Sequence, residues 1–517
     1  MEQLENNEIE KVNEEDRALS LILDTDVSHE VSEEFSLPDY VPEVRKIIKV
    51  TSEALPEGKY LNDTGSEPRL ELTGTVTYSV IYTDDEGKLC AVPLTTGYEF
   101  GVNLARVPHI SNIKTSVEGV TYRVIAPRKL TMKSKLKSRV IAFENNEVKE
   151  NITPRSGAEE IYLERCQKEI SALEIKEASL QNIRISERLE SIKEQQMHPI
   201  WCDAHIILTD VKPQKDLVCV RGEVSIRCLL SGDGCEDVIY KTVPLSEEIE
   251  SEGTLAGDMA RAHARCVSLS ISSEEKDGEN ALFFDLTCEI EANTIRNGEI
   301  SVTTDAYSTK NETEATYKSM EYFKGLKAQN GSFTLSESKK RENKEISEII
   351  AVLADPVYEK SETKGAKIYH HGKLLVDVIG KKISDTDGEV QYMHDYYELP
   401  IKYEADMGKA TKSIMAQCDF SIGKQSARYD DESFYLTAEI FVSHSVYEKC
   451  EALVLDQAII KTDKEVIKDS SCVRVCFPRE GETLWDIAKR YHTTKSKIKE
   501  QNDIENEDLR NVQSLII

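Results

Sequence analysis

The sequence lacks the features that mark exported and membrane-spanning proteins. It begins with the acidic stretch MEQLENNEIEKVNEEDR, which has neither the basic region nor the apolar region of a secretory signal. No apolar run approaches the ~18 residues that a membrane-spanning helix needs. These absences predict a protein without a transmembrane segment that is made and kept in the cytosol.

Cysteine is present, but not in the spacing that binds zinc or catalyses thiol exchange. None of the 12 cysteines forms a CxxC pair, which argues against a zinc ribbon or a thioredoxin-type site. Cys472 and Cys476 lie in CVRVCF, which reads as a strand. On a strand they would be about 13 Å apart, at ~3.3 Å per residue, which is too far for a disulfide between them. We expect free thiols in a reducing compartment.

The chain also lacks a basic excess. Its net charge is −29 and its pI is about 4.9, which argues against general binding to nucleic acid or to anionic membranes. The acidity is uneven, because residues 472–517 contain 8 basic and 8 acidic side chains. A neutral tail therefore follows an acidic body. At 517 residues the chain is too long for one hydrophobic core, and we expect three to five domains.

Catalytic motifs are missing as well. The sequence contains no P-loop, HExxH, GxSxG or suitably spaced Cys/His pair. His370 and His371 are adjacent on a predicted strand, where neighbouring side chains point to opposite faces and would not share a metal ion. We therefore predict a protein that is not an enzyme, with no catalytic residues, no cofactor and no metal site.

The body contains a pattern that occurs three times. Gly74, Gly222 and Gly372 are 148 and 150 residues apart. Each is followed by six to eight residues of mostly alternating apolar character, then by a turn with Asp-Gly or Glu-Gly, then by a segment ending in Val-Pro-Leu or Leu-Pro-Ile. Alternation of this kind predicts antiparallel strands joined by hairpins, in a mainly β tandem array.

Composition predicts the limits of these repeats. The three strand-rich domains are expected at residues 18–145, 160–315 and 340–460. Polar stretches predict linkers at residues 144–160, 324–344 and 461–471. The acidic segment 1–17 is expected to be disordered. Residues 161–195 read as helical, although strand and linker remain an alternative.

The tail has a different pattern. After the strand CVRVCF and the turn PREGE, four apolar residues recur with helical spacing at Leu484, Ile487, Ala488 and Tyr491. Thr483 is a plausible N-cap, with Asp486 completing a capping box. Thr494 is placed to cap a second helix from Lys495 to about Gln501, and QSLII ends the chain as a strand. Residues 472–517 are thus predicted to form a βααβ module.

This module resembles the LysM domain family in VCFPREGETLWDIAKRYHTTKSKIKEQNDIEN and LRNVQSLII. The family usually has Pro-Gly-Gln before the last strand, where this chain has Asn511-Val512-Gln513. The resemblance implies binding of N-acetylglucosamine polymers, in peptidoglycan or chitin, between two loops. The residues implied are Gly481, Glu482, Thr483, Leu484, Asn502, Asp503 and Ile504. Structural roles compete for three of them: Leu484 as core, Thr483 as cap and Gly481 as turn.

Trp485 is offset by 100° from the apolar stripe of the first helix, so the module itself buries at most half of it. It is expected either to pack against the module or to anchor a protein partner, since exposed tryptophans beside basic residues are common interface anchors. The predicted partner surface consists of Trp485, Lys489, Arg490, Lys495 and Lys497.

The whole layout resembles a family of clostridial spore coat morphogenetic proteins, in which SPOCS repeats (also called DUF3794) precede a C-terminal LysM domain. The resemblance implies three SPOCS-like domains and a βααβ LysM domain. It implies a scaffold made in the mother cell that collects on the outer forespore surface and acts in spore coat assembly. Its expected partners are a SpoIVA-type coat-basement ATPase and other coat proteins. Anchoring to cortex peptidoglycan is the alternative.

Overall fold

The structure is a computed structural model, and its mainly β fold class confirms the prediction. It describes residues 16–62, 67–148, 152–153, 162–190, 197–232, 235–276, 279–383, 390–408, 413–466, 473–504, 506–509 and 512–517. Within the predicted disordered segment, residues 1–15 lie outside this range, whereas Arg17 begins the first strand. No helix in the described ranges is long and apolar enough to cross a membrane.

The first strand set forms two three-stranded antiparallel sheets. Its strands are β1 (Arg17–Ser36), β2 (Lys46–Asn62), β3 (Arg69–Thr83), β4 (Leu89–Asn103), β5 (Ile110–Ala126) and β6 (Lys129–Glu147). The three consecutive strands β2-β3-β4 form what we call the meander sheet. The strands β1-β6-β5 form what we call the split sheet, because it joins the first strand of the set to the last two.

The same topology occurs twice more. After the short β7 (Ile152–Thr153), the second set comprises β8 (Leu163–Glu190), β9 (Met197–Gln214), β10 (Leu217–Gly232), β11 (Cys235–Glu250), β12 (Met259–Lys276) and β13 (Glu279–Ser308). The third set comprises β14 (Asn311–Lys340), β15 (Glu348–Lys364), β16 (Lys367–Ile383), β17 (Val390–Asp406), β18 (Ile414–Tyr429) and β19 (Ser433–Glu465). Their meander sheets are β9-β10-β11 and β15-β16-β17, and their split sheets are β8-β13-β12 and β14-β19-β18.

Two local predictions are wrong. Within 161–195, the described residues Leu163–Glu190 form β8 and pair with β13, so the helical reading is wrong there and its strand alternative is confirmed. The predicted linker 324–344 lies mostly in β14, which pairs with β19. Both stretches are polar because one face of each long strand meets solvent, and composition alone does not distinguish such a strand from a linker. The domain limits 18–145, 160–315 and 340–460 stay predictions.

The three repeat glycines have one structural role. Gly74, Gly222 and Gly372 lie on the central strand of each meander sheet, opposite a β-bulge in the first strand of that sheet. The bulge brings a backbone carbonyl so close that a Cβ would collide with the oxygen of Leu55, Ile207 or Val357. Glycine is required there because only a residue without a side chain permits this approach.

The three sets close on one another. The last meander strand of each set lies against the first meander strand of the next, in the order β4 to β9, β11 to β15 and β17 to β2. One apolar cluster joins all three meander sheets and includes Ile81, Leu229 and Ile379. A second joins all three split sheets and includes Phe143, Ile295 and Tyr447. The body is therefore a closed arrangement of three similar sets with approximate threefold character.

The tail module has the predicted βααβ order. Its elements are β20 (Val475–Cys476), α1 (Leu484–Arg490), α2 (Lys495–Asn502) and β21 (Leu515–Ile516). Thr483 and Asp486 form the predicted capping box, and the Thr494 side chain accepts from the Lys497 amide. Cys472, Glu505, Arg510 and Asn511 lie outside the described residues, so the altered last turn is described only from Val512 onwards.

Candidate functional site

The module has a small core between its helices and its two-stranded sheet. Leu484, Ile487, Ala488 and Ile498 have no exposed surface, and Leu515 packs against them from β21. Leu484 therefore offers no side-chain contact to a sugar. The structural roles of its neighbours are also present, because Thr483 caps α1 and Gly481 adopts a positive φ of 79° in the turn before it.

The first loop of the implied groove is held by Glu482. Its carboxylate accepts a hydrogen bond of 2.9 Å from the Arg479 amide and pairs at 2.9 Å with Arg490 Nη1 from α1. Arg490 Nη2 also lies 3.1 Å from the Cys476 sulfur in β20. Arg490 thus ties the loop to the strand, and the predicted partner residue Arg490 and glycan residue Glu482 contact each other.

The second loop is held by Asn502. Its amide nitrogen donates to the Ile516 carbonyl oxygen at 2.7 Å, and its oxygen accepts from the Ile516 amide at 2.7 Å. Asp503 ends α2 in the left-handed conformation with φ 50°, and its side chain is exposed. The Ile504 amide returns to the Lys499 carbonyl. The loop is therefore rigid at Asn502 and open at Asp503.

Trp485 packs against the body. Its side chain is 8% exposed, and its indole Nε1 donates a hydrogen bond of 2.8 Å to Asp305 Oδ2 near the end of β13. Lys489, one turn later, donates to both oxygens of Asp305 at 2.7 Å. The Tyr317 hydroxyl, from β14, donates to Asp305 Oδ1 at 2.8 Å. One carboxylate thus receives three donors, two of them from the module.

Tyr307 completes this contact. Its ring lies edge-on to the Trp485 ring, with centroids 4.9 Å apart, and its hydroxyl donates to the Thr493 carbonyl oxygen at 2.7 Å. His492 Nδ1 lies 3.1 Å from the Ser308 carbonyl oxygen. Tyr307 is 1% exposed and belongs to the core cluster of the module, although it comes from β13. The body therefore supplies the half of the Trp485 environment that the module does not.

The charge of Asp305 is stabilised by this arrangement. Burial acts to raise the pKa of its carboxyl, but the hydrogen bonds from Lys489, Trp485 and Tyr317 outweigh burial and hold the pKa below its ordinary value. For Lys489, burial acts to lower the pKa of the ammonium. The contact with Asp305 outweighs burial, so the pKa of Lys489 is raised. At neutral pH the pair is ionised and holds the module on the body.

The five predicted partner residues do not form one free surface. Trp485 and Lys489 face the body, Arg490 contacts the first loop, and Lys495 pairs with Glu507 at 2.9 Å. Lys497 is exposed. Sequence reasoning missed Asp305, Tyr307 and Tyr317, which lie on strands of the body. The sequence pattern of the module contains no information about which residues, about 180 positions earlier in the chain, contact it.

The outer face of the two-stranded sheet of the module is apolar and exposed. Val475 of β20 is 51% exposed and its strand partner Ile516 is 44% exposed, and Val473 and Phe477, two residues before and after Val475, are 77% and 71% exposed. Sequence alternation predicts the shared face of Val473, Val475 and Phe477. We call these four residues the sheet face. It is separate from Trp485, since the opposite side of the sheet carries the buried Cys476 and Leu515.

Comparison with known protein families supports the LysM resemblance of the module. Residues 479–517 match the LysM domain family, a match that indicates a peptidoglycan- or carbohydrate-binding type of domain. No curated protein and no solved structure matches the chain. No match to SPOCS repeats was found, so that resemblance rests on the sequence pattern of the body.

Proposed function

We propose that the chain is a non-enzymatic assembly adaptor whose LysM module docks onto a protein through the sheet face. The observation that carries this proposal is the exposure of Val473, Val475, Phe477 and Ile516 on one side of a small module. Contiguous exposed apolar surface rimmed by polar residues is typical of protein interaction sites. Trp485, the anchor expected from the sequence, is already used inside the chain.

The resemblance to SPOCS–LysM proteins supplies the proposed partner. The layout is similar to that of SipL-like coat morphogenetic proteins, which implies a SpoIVA-type ATPase at the forespore surface and other coat proteins. The proposed location is the mother-cell cytoplasm and then the spore coat. A module with a small core offers one modest interface, so stable assembly would come from many copies bound to one partner layer.

The body contributes by holding the module in one orientation. The contacts of Asp305 and Tyr307 fix α1 against β13, whereas no residue of the sheet face has a described hydrogen bond or ion pair to the body. A rigidly held module loses less conformational freedom on binding than one on a flexible tether. The acidic body would also keep the protein soluble before the partner layer forms.

A binding measurement tests the adaptor proposal. The purified full chain and the double variant Val475→Glu/Phe477→Glu are titrated against the purified coat ATPase. We expect the double variant to lose at least about tenfold in affinity, because the complex would bury two carboxylates that have no partner charge. Val107→Glu, at a residue 52% exposed on the body, is the matched control. Unchanged affinity of the double variant would contradict the proposal.

Glycan binding is the second candidate, and the open loop face favours it. Gly481, Thr483 and Asp503 are exposed, and the described contacts of the two loops all lie within the module. The loops therefore remain accessible while the module is docked. In this case the protein would anchor to cortex peptidoglycan.

Sedimentation with purified peptidoglycan separates the two candidates. If glycan is the ligand, the full chain sediments with it, the variant Val475→Glu/Phe477→Glu still sediments, and Asp503→Gly sediments less. Glycine suits that last position because it tolerates the left-handed φ of 50° while removing the carboxylate. Binding to the ATPase without sedimentation would leave the adaptor as the function.

A further inference from the structure

Three equivalent positions of the repeats meet where the strand sets close. Glu53, His205 and Asp355 occupy equivalent positions in the three sets. Each pairs with the residue on the central meander strand that follows the repeat glycine of its set by three places. Each lies on the first meander strand of its set, the strand that contacts the preceding set. Approximate threefold closure therefore brings a glutamate, a histidine and an aspartate toward one point.

The donor atoms at this point are close together. His205 Nε2 lies 3.8 Å from Asp355 Oδ1 and 3.3 Å from Asp203 Oδ2. One donor atom from each of these three residues falls within 4.8 Å of the others. The Asp355 side chain is 61% exposed and the His205 side chain 24%, so an ion in solution can reach them. The Glu53 carboxyl interacts electrostatically with His205 and with both aspartates.

The cluster has more carboxylates than cations. The buried Arg227 pairs with Asp203 through Nε and Nη2. Arg227 Nη2 also lies 3.9 Å from Asp355 Oδ1. The cluster thus holds three carboxylates, of Asp203, Asp355 and Glu53, and one guanidinium.

We propose that Asp203, His205 and Asp355 bind one divalent transition-metal ion at the junction of the three strand sets, with the Glu53 carboxylate as its neighbour. One imidazole and two carboxylates suit Zn²⁺ or Mn²⁺, whereas Ca²⁺ and Mg²⁺ favour oxygen ligands alone. A divalent charge would neutralise the excess left after the Asp203–Arg227 pair. The carboxylate of Asp203 has enough lone pairs to serve both the guanidinium and the ion.

Arg227 competes with the ion for the ring nitrogen of His205, but another of its nitrogen atoms favours a bound ion. Its Nη2 lies 2.7 Å from His205 Nε2, so binding requires that nitrogen to exchange the guanidinium for the ion. Its Nη1 is buried and has no hydrogen-bond partner among the described residues, and the side chain is 3% exposed. A water molecule on the ion would provide the acceptor that Nη1 lacks, because buried donors are nearly always paired. The ion would link residues of the second and third sets beside the first.

The test uses the full chain after chelator treatment, titrated with Co²⁺ and, by calorimetry, with Zn²⁺. We expect one equivalent to bind, with the Co²⁺ spectrum of oxygen and nitrogen ligands and a rise in melting temperature. His205→Gln and Asp355→Asn should each weaken binding at least about tenfold, since even indirect ligand support is worth 10–100-fold. Neither variant removes the Asp203–Arg227 pair. His371→Gln, a half-buried histidine elsewhere on β16, is the matched control.

Thiols are the competing explanation for bound zinc. Cys202 precedes Asp203 and lies opposite Cys228, with the two sulfur atoms 2.8 Å apart. A thiolate-to-cobalt charge-transfer band would assign the metal to these cysteines and overturn the proposal. So would binding unchanged in His205→Gln and Asp355→Asn, or no binding to the full chain. If both variants melt much lower than the wild type without metal, the Co²⁺ spectrum of Asp355→Glu is the deciding measurement. The longer carboxylate should retain oxygen ligation, so a spectrum of oxygen and nitrogen ligands supports the proposal and the absence of Co²⁺ binding overturns it.

Discussion

The indole nitrogen of Trp485 donates a hydrogen bond of 2.8 Å to the carboxylate of Asp305, 180 residues earlier in the chain. Lys489 approaches the same carboxylate at 2.7 Å, so two residues of α1 depend on one acceptor of the body. A partly buried carboxylate that serves as a shared acceptor concentrates the energy of a contact in one side chain. The attachment of the LysM module can therefore be tested at Asp305 alone.

We expect Asp305→Asn to loosen the module while leaving both parts folded. The variant loses the charge that pairs with Lys489, and hydrogen bonds to charged groups are worth roughly 1.5–3 kcal/mol. In a Trp201→Phe background, Trp485 is the sole tryptophan, and its emission should shift to the red as the ring meets solvent. Limited proteolysis should cut faster before residue 475. Asp431→Asn, at an exposed carboxylate, should change neither result.

Acid should release the module in the same assay. The folded pKa of Asp305 is depressed, so its contribution is present above the unfolded value near 3.8 and is lost as pH falls through the folded pKa. We expect the emission of Trp485 to shift below about pH 4. In Asp305→Asn the shift should already be present at neutral pH and independent of pH in this range. An identical pH profile in both proteins would show that another group controls the attachment.

Alanine at the repeat glycines should destabilise the body. Gly222→Ala would bring a Cβ into collision with the Ile207 carbonyl oxygen, and Gly74→Ala and Gly372→Ala would meet the equivalent oxygens. Overpacking against backbone costs roughly 1–3 kcal/mol or more in unfolding free energy. Chemical denaturation measures the loss. Gly298→Ala is the matched control, because a Cβ there meets no atom within 4 Å. Equal stability of the control and the three variants would refute the bulge explanation.

A buried histidine pair should make the third strand set sensitive to mild acid. His370 and His444 are almost fully buried with ring centroids 5.1 Å apart, and burial lowers the pKa of each to about 4. Since the unfolded chain binds these protons near 6.5, the free energy of unfolding should fall between pH 6.5 and 4. The slope is roughly 1.4 kcal/mol per pH unit for each histidine.

His444→Phe isolates this effect. Both ring nitrogens of His444 are buried and have no hydrogen-bond partner in the part of the chain that the structure describes, so an apolar ring of similar size should be tolerated. We expect the pH slope of its unfolding free energy in this window to be smaller than that of the wild type by roughly 1.4 kcal/mol per pH unit. His198→Gln, at an exposed histidine, should keep the full slope. A wild-type slope in His444→Phe would contradict the assignment.

Deleting residues 472–517 should leave a soluble, folded body. The body has its own apolar clusters that join the three sets, and the deletion newly exposes chiefly Tyr307 and its surroundings. We expect the β-sheet circular dichroism to be retained, together with the loss of binding to the partner of the module. Aggregation of the truncated protein would mean that the module is part of the core rather than an attachment to it.

Local features were predictable because their physical causes lie within a few residues. The capping box of α1 involves only Thr483 and Asp486, which are three residues apart. The cap of α2 likewise involves only the Thr494 side chain and the Lys497 amide. The strand alternation around Gly74, Gly222 and Gly372 is likewise visible in the sequence. By contrast, the sequence predicts a helix where β8 lies and a linker where most of β14 lies. The reason is that a long strand with one solvated face has the polar composition of a linker or of a surface helix.

By itself, therefore, the sequence determined a threefold strand-rich repeat and a βααβ module with its caps and buried stripe. Only the tertiary structure decided that Trp485 meets Asp305, that Val475 and Phe477 stay exposed, and that His205 approaches Asp355. These relationships join positions far apart in the chain, and they depend on how three similar strand sets close on one another. Closure is set by packing between whole sheets, which no local pattern of residues encodes.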